Sequence, residues 1–327
     1  MSSLTLLDVG HGACAILRDD EGTVVIDGGT HQILLQYLKA NNISSIDTVL
    51  ISHADSDHIG GILEIILDHS ISIHNIYLNT ETLRTTQLWN ELRIALATRE
   101  SQGTIRIHAH LTTTCQQELT RQHITLEILH PSGTLALSGA GGEDTEGELL
   151  NANSMSAVIR ILTTQKPEAL LPGDMDGNTL DRLLSSAVDM HAEVLVFPHH
   201  GGNPGSANNS EFTARLCSAV TPSLIIFSNG RGRFSTPRQE IIEAIKAVLP
   251  LSHIACTQLS DFCIAQLPEA NPPHLLCRQA RGWSNRACCA GTIEIQLGTE
   301  ELSVQPTIHE HRLFIEQSVP RALCAVY

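Results

Sequence analysis

Four apolar runs in this chain break off into polar, glycine-bearing segments: residues 48–51 into 52–61, 169–171 into Gly173-Asp174, 194–197 into 198–202, and 224–227 into 228–231. Short apolar runs closed by turn signals suit strands buried on both faces, and such strands need helices to cover them. Helical spacing is present at Ile33, Leu34, Tyr37 and Leu38, and again over residues 59–67 and 82–99. Further strands are expected at 4–9, 13–17, 23–26, 75–78, 105–108, 124–129 and 157–162, and a terminal helix or strand at 309–318. Strands mixed with helices predict a layered α/β (α+β) architecture. In open α/β sheets, ligands bind beyond the carboxyl ends of the strands, which is where these polar segments fall.

Composition narrows the class. The 327 residues are 42% hydrophobic and only 3% aromatic, so the core is expected to be aliphatic. No run of 18 apolar residues is present, which argues against a membrane span, and the amino terminus lacks a basic-then-apolar leader, so a cytoplasmic protein is expected. Nine cysteines are then expected as reduced thiols or metal ligands. The formal charge of −15 excludes binding to nucleic acid by a generally basic surface, so a polyanionic substrate needs local cations. Residues 131–150, with Glu143, Asp144, Glu146 and Glu148, read as a mobile acidic loop.

Segment 52–61 places His53, Asp55, Asp57 and His58 within six positions directly after a buried run. Strand residues at i and i+2 share a face, and a turn onto a helix brings the next pair around, so the four side chains can converge. With Asp174 and His199 or His200 from later strand ends, they supply the nitrogen and oxygen donors that zinc or manganese takes. Asp174 is the candidate bridge between two ions.

In order along the chain, Asp8-Val9-Gly10-His11-Gly12, Val25-Ile26-Asp27-Gly28-Gly29, residues 52–61, residues 151–156, Gly173-Asp174 and Pro198-His199-His200-Gly201 resemble the motifs of the metallo-β-lactamase fold hydrolases. The branch they look most like is the nuclease-like domain of the ComEC competence proteins. That resemblance implies an αββα sandwich of two mixed β-sheets with helices on the outer faces and one or two divalent metal ions (Mn or Zn) at a sheet edge. It implies His53, Asp55, Asp57, His58, Asp174 and His199 as metal ligands. Asp57 would orient the attacking water or take its proton, and His200, if it is not a ligand, would protonate the leaving oxygen. Asp27 and Asn153 would orient the ligands from behind. Asp55 stands where many such enzymes carry histidine, and its carboxylate oxygen, a harder donor than an imidazole nitrogen, shifts preference toward manganese or magnesium. Residues 151–153 and Thr236 stand where other members place further histidines.

Arg231 and Arg233 are the candidate phosphate contacts, since guanidinium groups pair bidentately with phosphate. The resemblance covers residues 1–250, and 251–327 read as a cysteine-rich extension packed on or beside that domain, with Arg278, Arg281, Trp283 and Arg286 as a basic, aromatic patch. A phosphodiesterase or nuclease acting on DNA, with a regulatory protein partner as a further possibility, is the first functional expectation. A small-molecule hydrolase, for a cyclic nucleotide or an ester, and a catalytically degenerate interaction subunit are the alternatives.

Overall fold

The computed structural model describes the chain apart from residues 1, 31, 82, 83, 165, 206, 207, 233, 326 and 327. Among the described residues, strands β1 (Ser2–Leu6), β2 (Ala15–Asp19), β3 (Gly22–Ile26), β4 (Ser45–Leu50), β5 (Ser72–Tyr77) and β6 (Arg106–His108) lie in one sheet. A second sheet takes β7 (Ile124–His130), β8 (Val158–Thr163), β9 (Lys166–Leu171), β10 (Val194–Val196), β11 (Leu224–Phe227) and β12 (His253–Cys256). The chain then returns to the first sheet with β13 (Ile293–Leu297) and β14 (Ser303–Gln305), giving the orders β14-β13-β1-β2-β3-β4-β5-β6 and β12-β11-β10-β9-β8-β7. Both sheets are mixed: β3 to β6 and β9 to β12 run parallel, and the remaining neighbours antiparallel.

Side-chain alternation explains the layering. Val24, Ile26 and Leu50 face Ile159, Ile161, Leu224 and Ile226 in the core between the sheets. Val25, Val49 and Ile51 point the other way, onto helices α1 (Ile33–Ala40), α2 (Ser56–Leu67) and α3 (Gln87–Ser101). On the far side, Leu170, Leu195, Ile225 and Phe227 pack against the apolar faces of four further helices. After the short α4 (Gly133–Ser138), these are α5 (Gly177–Ser185), α6 (Asn209–Val220), α7 (Gln239–Val248) and α8 (Ile308–Ser318). Strands buried on both faces read as unbroken apolar runs, which is why they were legible. The result is the expected αββα sandwich. No helix among the described residues is long and apolar enough to cross a membrane.

The structure corrects the sequence reading in three places. Residues 251–327 do not form an appendage, because β12 closes the edge of one sheet while β13 pairs with β1 in the other. The division at 250 therefore cuts through both sheets. The 131–150 segment is organised: α4 starts on a Ser132 cap, and Asp144 pairs with Arg182 while accepting the amides of Glu146 and Glu148. Helices α5 and α6 follow the strands at 166–171 and 194–196, started by the Asp176 and Asn208 side chains accepting first-turn amides.

Candidate metal centre

The turn after β3 and the start of α2 meet backbone to backbone. Gly28 N donates to His58 O at 2.6 Å, and a Cβ at Gly28 would lie 2.5 Å from the Ile62 nitrogen, so only glycine fits. This contact brings Asp27 against the 52–58 segment, and Asp27 itself is held in the left-handed region at φ 56°. Its Oδ1 accepts Ser52 N at 2.8 Å, and its Oδ2 accepts Ser52 Oγ at 2.7 Å and His58 Nδ1 at 2.8 Å. A carboxylate can only accept, so His58 donates from Nδ1 and presents Nε2 to the centre. Ser52 Oγ, having donated to Asp27, accepts from His53 Nδ1 at 3.0 Å, which turns His53 Nε2 inward too. The expected orienting role of Asp27 thus extends to both histidines.

Asp174 receives these rings. It follows Gly173 at the end of β9 and is fixed by its amide donating to Ser156 Oγ at 3.0 Å. Its Oδ1 lies 3.5 Å from His58 Nε2 and 3.7 Å from His200 Nε2, and its Oδ2 lies 4.0 Å from His53 Nε2 and 3.6 Å from His199 Nδ1. His53 Nε2 is also 3.8 Å from Asp55 Oδ2, and His200 Nε2 is 3.4 Å from Asp57 Oδ2. The donors therefore fall in two groups that share one carboxylate: Asp57, His58 and His200 clustered with it on the Oδ1 side, and His199 and His53, with Asp55 beside His53, on the Oδ2 side.

His199 and His200 reach different oxygens because both sit in the left-handed region, at φ 52° and 55°. Successive left-handed residues are strained for side chains with a Cβ, and here the strain falls on two donors of the centre. His200, not His199, joins the tighter cluster with Asp57, His58 and Asp174. Of the two histidines between which the sequence left the choice of ligand open, both turn their rings toward Asp174.

These residues fit a bound cation. The Nε2 atoms of His53, His58, His199 and His200 are buried with no hydrogen-bond partner, an arrangement costly for a polar atom unless something else satisfies it. Those of His53, His58 and His200 lie 3.4 to 4.0 Å from carboxylate oxygens, longer than ordinary hydrogen bonds and suited to donors gathered around an ion. Burial drives the His53 ring well below the ordinary histidine range, with the neighbouring His58 adding to it, which leaves a neutral imidazole as a metal needs. Burial pushes the Asp57 carboxyl up, but the neighbouring His200 and His58 rings outweigh it, so the group lies below the usual range.

Other expected site residues are engaged differently, and Arg231 is one of them although it lines the cleft over Asp57. Arg231 does not reach for a phosphate, because its guanidinium donates to the carbonyls of Leu259, Ser260, Ile264 and Ala265 and pairs with Asp261, fastening its loop to the chain after β12. Arg233 lies outside the described residues. Asn153 builds a 3-10 turn through its backbone, and that segment reaches the centre through Ser156, whose Oγ lies 3.3 Å from His53 Nδ1. Thr236 is buried, with its carbonyl accepting Asn229 Nδ2 at 3.1 Å.

Further neighbours surround the centre. Arg84 pairs with Asp55 Oδ1. His11 lies between the rings of Phe234 and His200, with centroids 3.9 and 4.4 Å away, and its Nε2 is 3.6 Å from Asp57. Burial, then His200, pulls His11 down to about 4, so near neutrality it is an uncharged ring able to donate one hydrogen bond. An open cleft of ≈ 550 Å³ lies over Asp57, with His11, Phe234, Arg281 and Asn285 among its walls. Arg281 belongs to the basic patch of the extension and lines this cleft together with Arg231.

Replacing Asp27 by alanine frees both inward-facing rings to rotate. A loss of roughly 10–100-fold in metal affinity is expected, measured by competition with a chromophoric chelator; unchanged affinity would refute the orienting role.

Residues 7–150 match the Metallo-beta-lactamase superfamily. Competence protein ComA of Neisseria gonorrhoeae is 21% identical over 252 residues, covering 75% of this chain, and the match spans only 30% of that protein. Among solved structures, Tm1679, a metal-dependent hydrolase of the beta-lactamase superfamily, superposes with a TM-score of 0.49 at 15% identity over 78% of this chain and 96% of that one. Igni18, a metallo hydrolase from Ignicoccus hospitalis, does so with a TM-score of 0.43 at 16% identity over 78% and 94%.

Proposed function

We propose that this chain, whose residues 7–150 match the Metallo-beta-lactamase superfamily, is a metal-dependent phosphodiesterase that cleaves nucleic acid, with DNA as its substrate. The observation that carries the reading is the convergence of four imidazole rings on the two oxygens of Asp174, three of them (His53, His58 and His200) through buried Nε2 atoms with no hydrogen-bond partner and His199 through Nδ1. Two divalent ions would be held by Asp57, His58 and His200 and by His53, Asp55 and His199, with Asp174 shared. Asp55 makes manganese as suitable as zinc. When bound, such ions supply Lewis acidity and bring the pKa of water to roughly 7.

The protein's own groups do the rest. Asp57 forms part of the floor of the cleft and can take a proton from water entering there. Arg281 is placed to hold a phosphate in a chain whose net charge is −15. Phe234 is 45% exposed and stacked on His11, a platform on which a base can lie. Similarity to a competence protein supports nucleic acid as the substrate class.

The test is incubation of the purified, metal-loaded chain with single- and double-stranded DNA. Metal-dependent cleavage that falls on the order of 10³-fold in Asp57→Ala is expected, about 4 kcal/mol of barrier. Absence of cleavage with bound metal, or an Asp57→Ala variant as active as the parent, overturns the reading. Turnover of a cyclic nucleotide without DNA cleavage would transfer the site to small-molecule hydrolysis.

A further inference from the structure

We propose that His108, His110 and Glu118 form a second metal site, specific for a zinc-like transition ion and sharing no ligand with the centre at Asp174. One donor atom from each of the three lies within 4.8 Å of the others. His108 closes β6, the edge strand of the first sheet, and His110 follows two residues later, the spacing that keeps two side chains on one face. Glu118 comes from the turn after a 3-10 helix at Thr113–Cys115.

The separations argue for an ion. His108 Nδ1 is 4.0 Å from Glu118 Oε2, and His110 Nε2 is 3.9 Å from Glu118 Oε1. Neither is a hydrogen bond, whereas ligands about 2.1 Å from a tetrahedral ion stand roughly 3.4 Å apart, within reach of small side-chain rotations.

The surroundings fix the donors in the state a metal requires. Asn75 Nδ2 donates to Asp47 O at 3.1 Å, which settles the amide's orientation and turns Oδ1 toward His108 Nε2 at 3.3 Å. An amide oxygen accepts, so His108 carries its proton on Nε2 and offers the Nδ1 lone pair to the cluster. Tyr77 donates from its hydroxyl to Glu118 Oε2 at 2.9 Å and stacks on the His108 ring at 4.1 Å. Cys115, fully buried, anchors the other histidine by donating from Sγ to the His110 carbonyl. Partners that orient metal ligands from behind are what separates a built site from a chance meeting of surface side chains. Two histidines and one carboxylate leave a fourth position for water or an anion.

A bound ion would tie the free edge of the first sheet to the connection that enters β7 and the second sheet. Its detection needs the central donors silenced. In an Asp174→Asn background, elemental analysis after equilibration with zinc and gel filtration should still find one ion per chain, and zinc should raise the melting temperature. Adding His110→Ala and Glu118→Gln should remove both effects, and Tyr77→Phe should weaken binding roughly 10–100-fold. His110 and Glu118 are each 48% exposed, so the fold is expected to survive these changes. Asp174→Asn protein that holds no zinc at the edge, or holds it equally with His110 and Glu118 replaced, overturns the proposal. Neither result bears on DNA cleavage at the centre.

Discussion

Asp174→Asn is expected to remove most of the bound metal and to lower hydrolysis of an activated phosphodiester by at least about 10³-fold, on the order of 4 kcal/mol. The size of the effect follows from position. Asp174 is the one carboxylate that faces His53, His58, His199 and His200 at once, with one oxygen toward each pair. An amide keeps the shape but loses the charge and one acceptor oxygen, so both groups lose their common donor. Burial pushes the Asp174 carboxyl up, yet His200 and His58 overwhelm it and hold the group well below the ordinary carboxylate range, so it is a carboxylate at any working pH. Elemental analysis of parent and variant, alongside kcat on a chromogenic diester, checks the prediction. Equal metal content in the two proteins would remove Asp174 from its bridging role.

The second large effect is loss of stability in mild acid, and its source lies away from the centre. His311 is 2% exposed, with Nδ1 2.9 Å from His253 Nε2 and Nε2 3.2 Å from Cys289 Sγ, and the His274 ring lies edge-on at 6.0 Å. Burial, then His253 and His274, takes His311 down to about 3, while burial and Arg312 take His253 to about 4. In the unfolded chain a histidine titrates near 6.5. Between those values the unfolded state binds protons that the folded state refuses, so stability is full above pH ~6.5 and declines as pH falls toward 4. One such group changes the unfolding free energy by up to about 1.4 kcal/mol per pH unit, or roughly 2 kcal/mol between pH 6.5 and 4.5. His311→Phe is expected to flatten the plot of urea midpoint against pH over this window at fixed metal concentration. His309→Ala, an exposed position on the same helix, should leave the slope alone. A His311→Phe slope matching the parent's would place the acid sensitivity elsewhere.

The strands and the 52–58 donor segment were readable because their information is local. An apolar run two faces deep, a turn, and donors at fixed spacing all follow from neighbours in the chain. The roles of Arg231 and Arg281 were not, since they depend on how the last third of the chain returns. Gln258 Nε2 donates to Asp8 Oδ1 at 2.8 Å, and Arg281 and Gly282 donate their amides to Asp8 O and Oδ2 at 2.7 and 2.9 Å. Those contacts, more than 240 residues apart in the chain, set Arg281 over the cleft, while Arg231 is bound up in carbonyls of the same segment. Asp8 is the point where the two ends of the chain join.

The sequence alone determined the class of fold, the strands that carry the donors and the chemical kind of the centre. Residue type and short-range spacing are sufficient for those. The tertiary structure decided the division of the donors into two groups around Asp174, with His199 and His200 on different oxygens and Ser156 in place of Asn153. It also decided that the cysteine-rich extension completes both sheets. These outcomes depend on left-handed backbone at His199 and His200 and on strand pairing across nearly 300 residues, which arise from packing and leave no local mark.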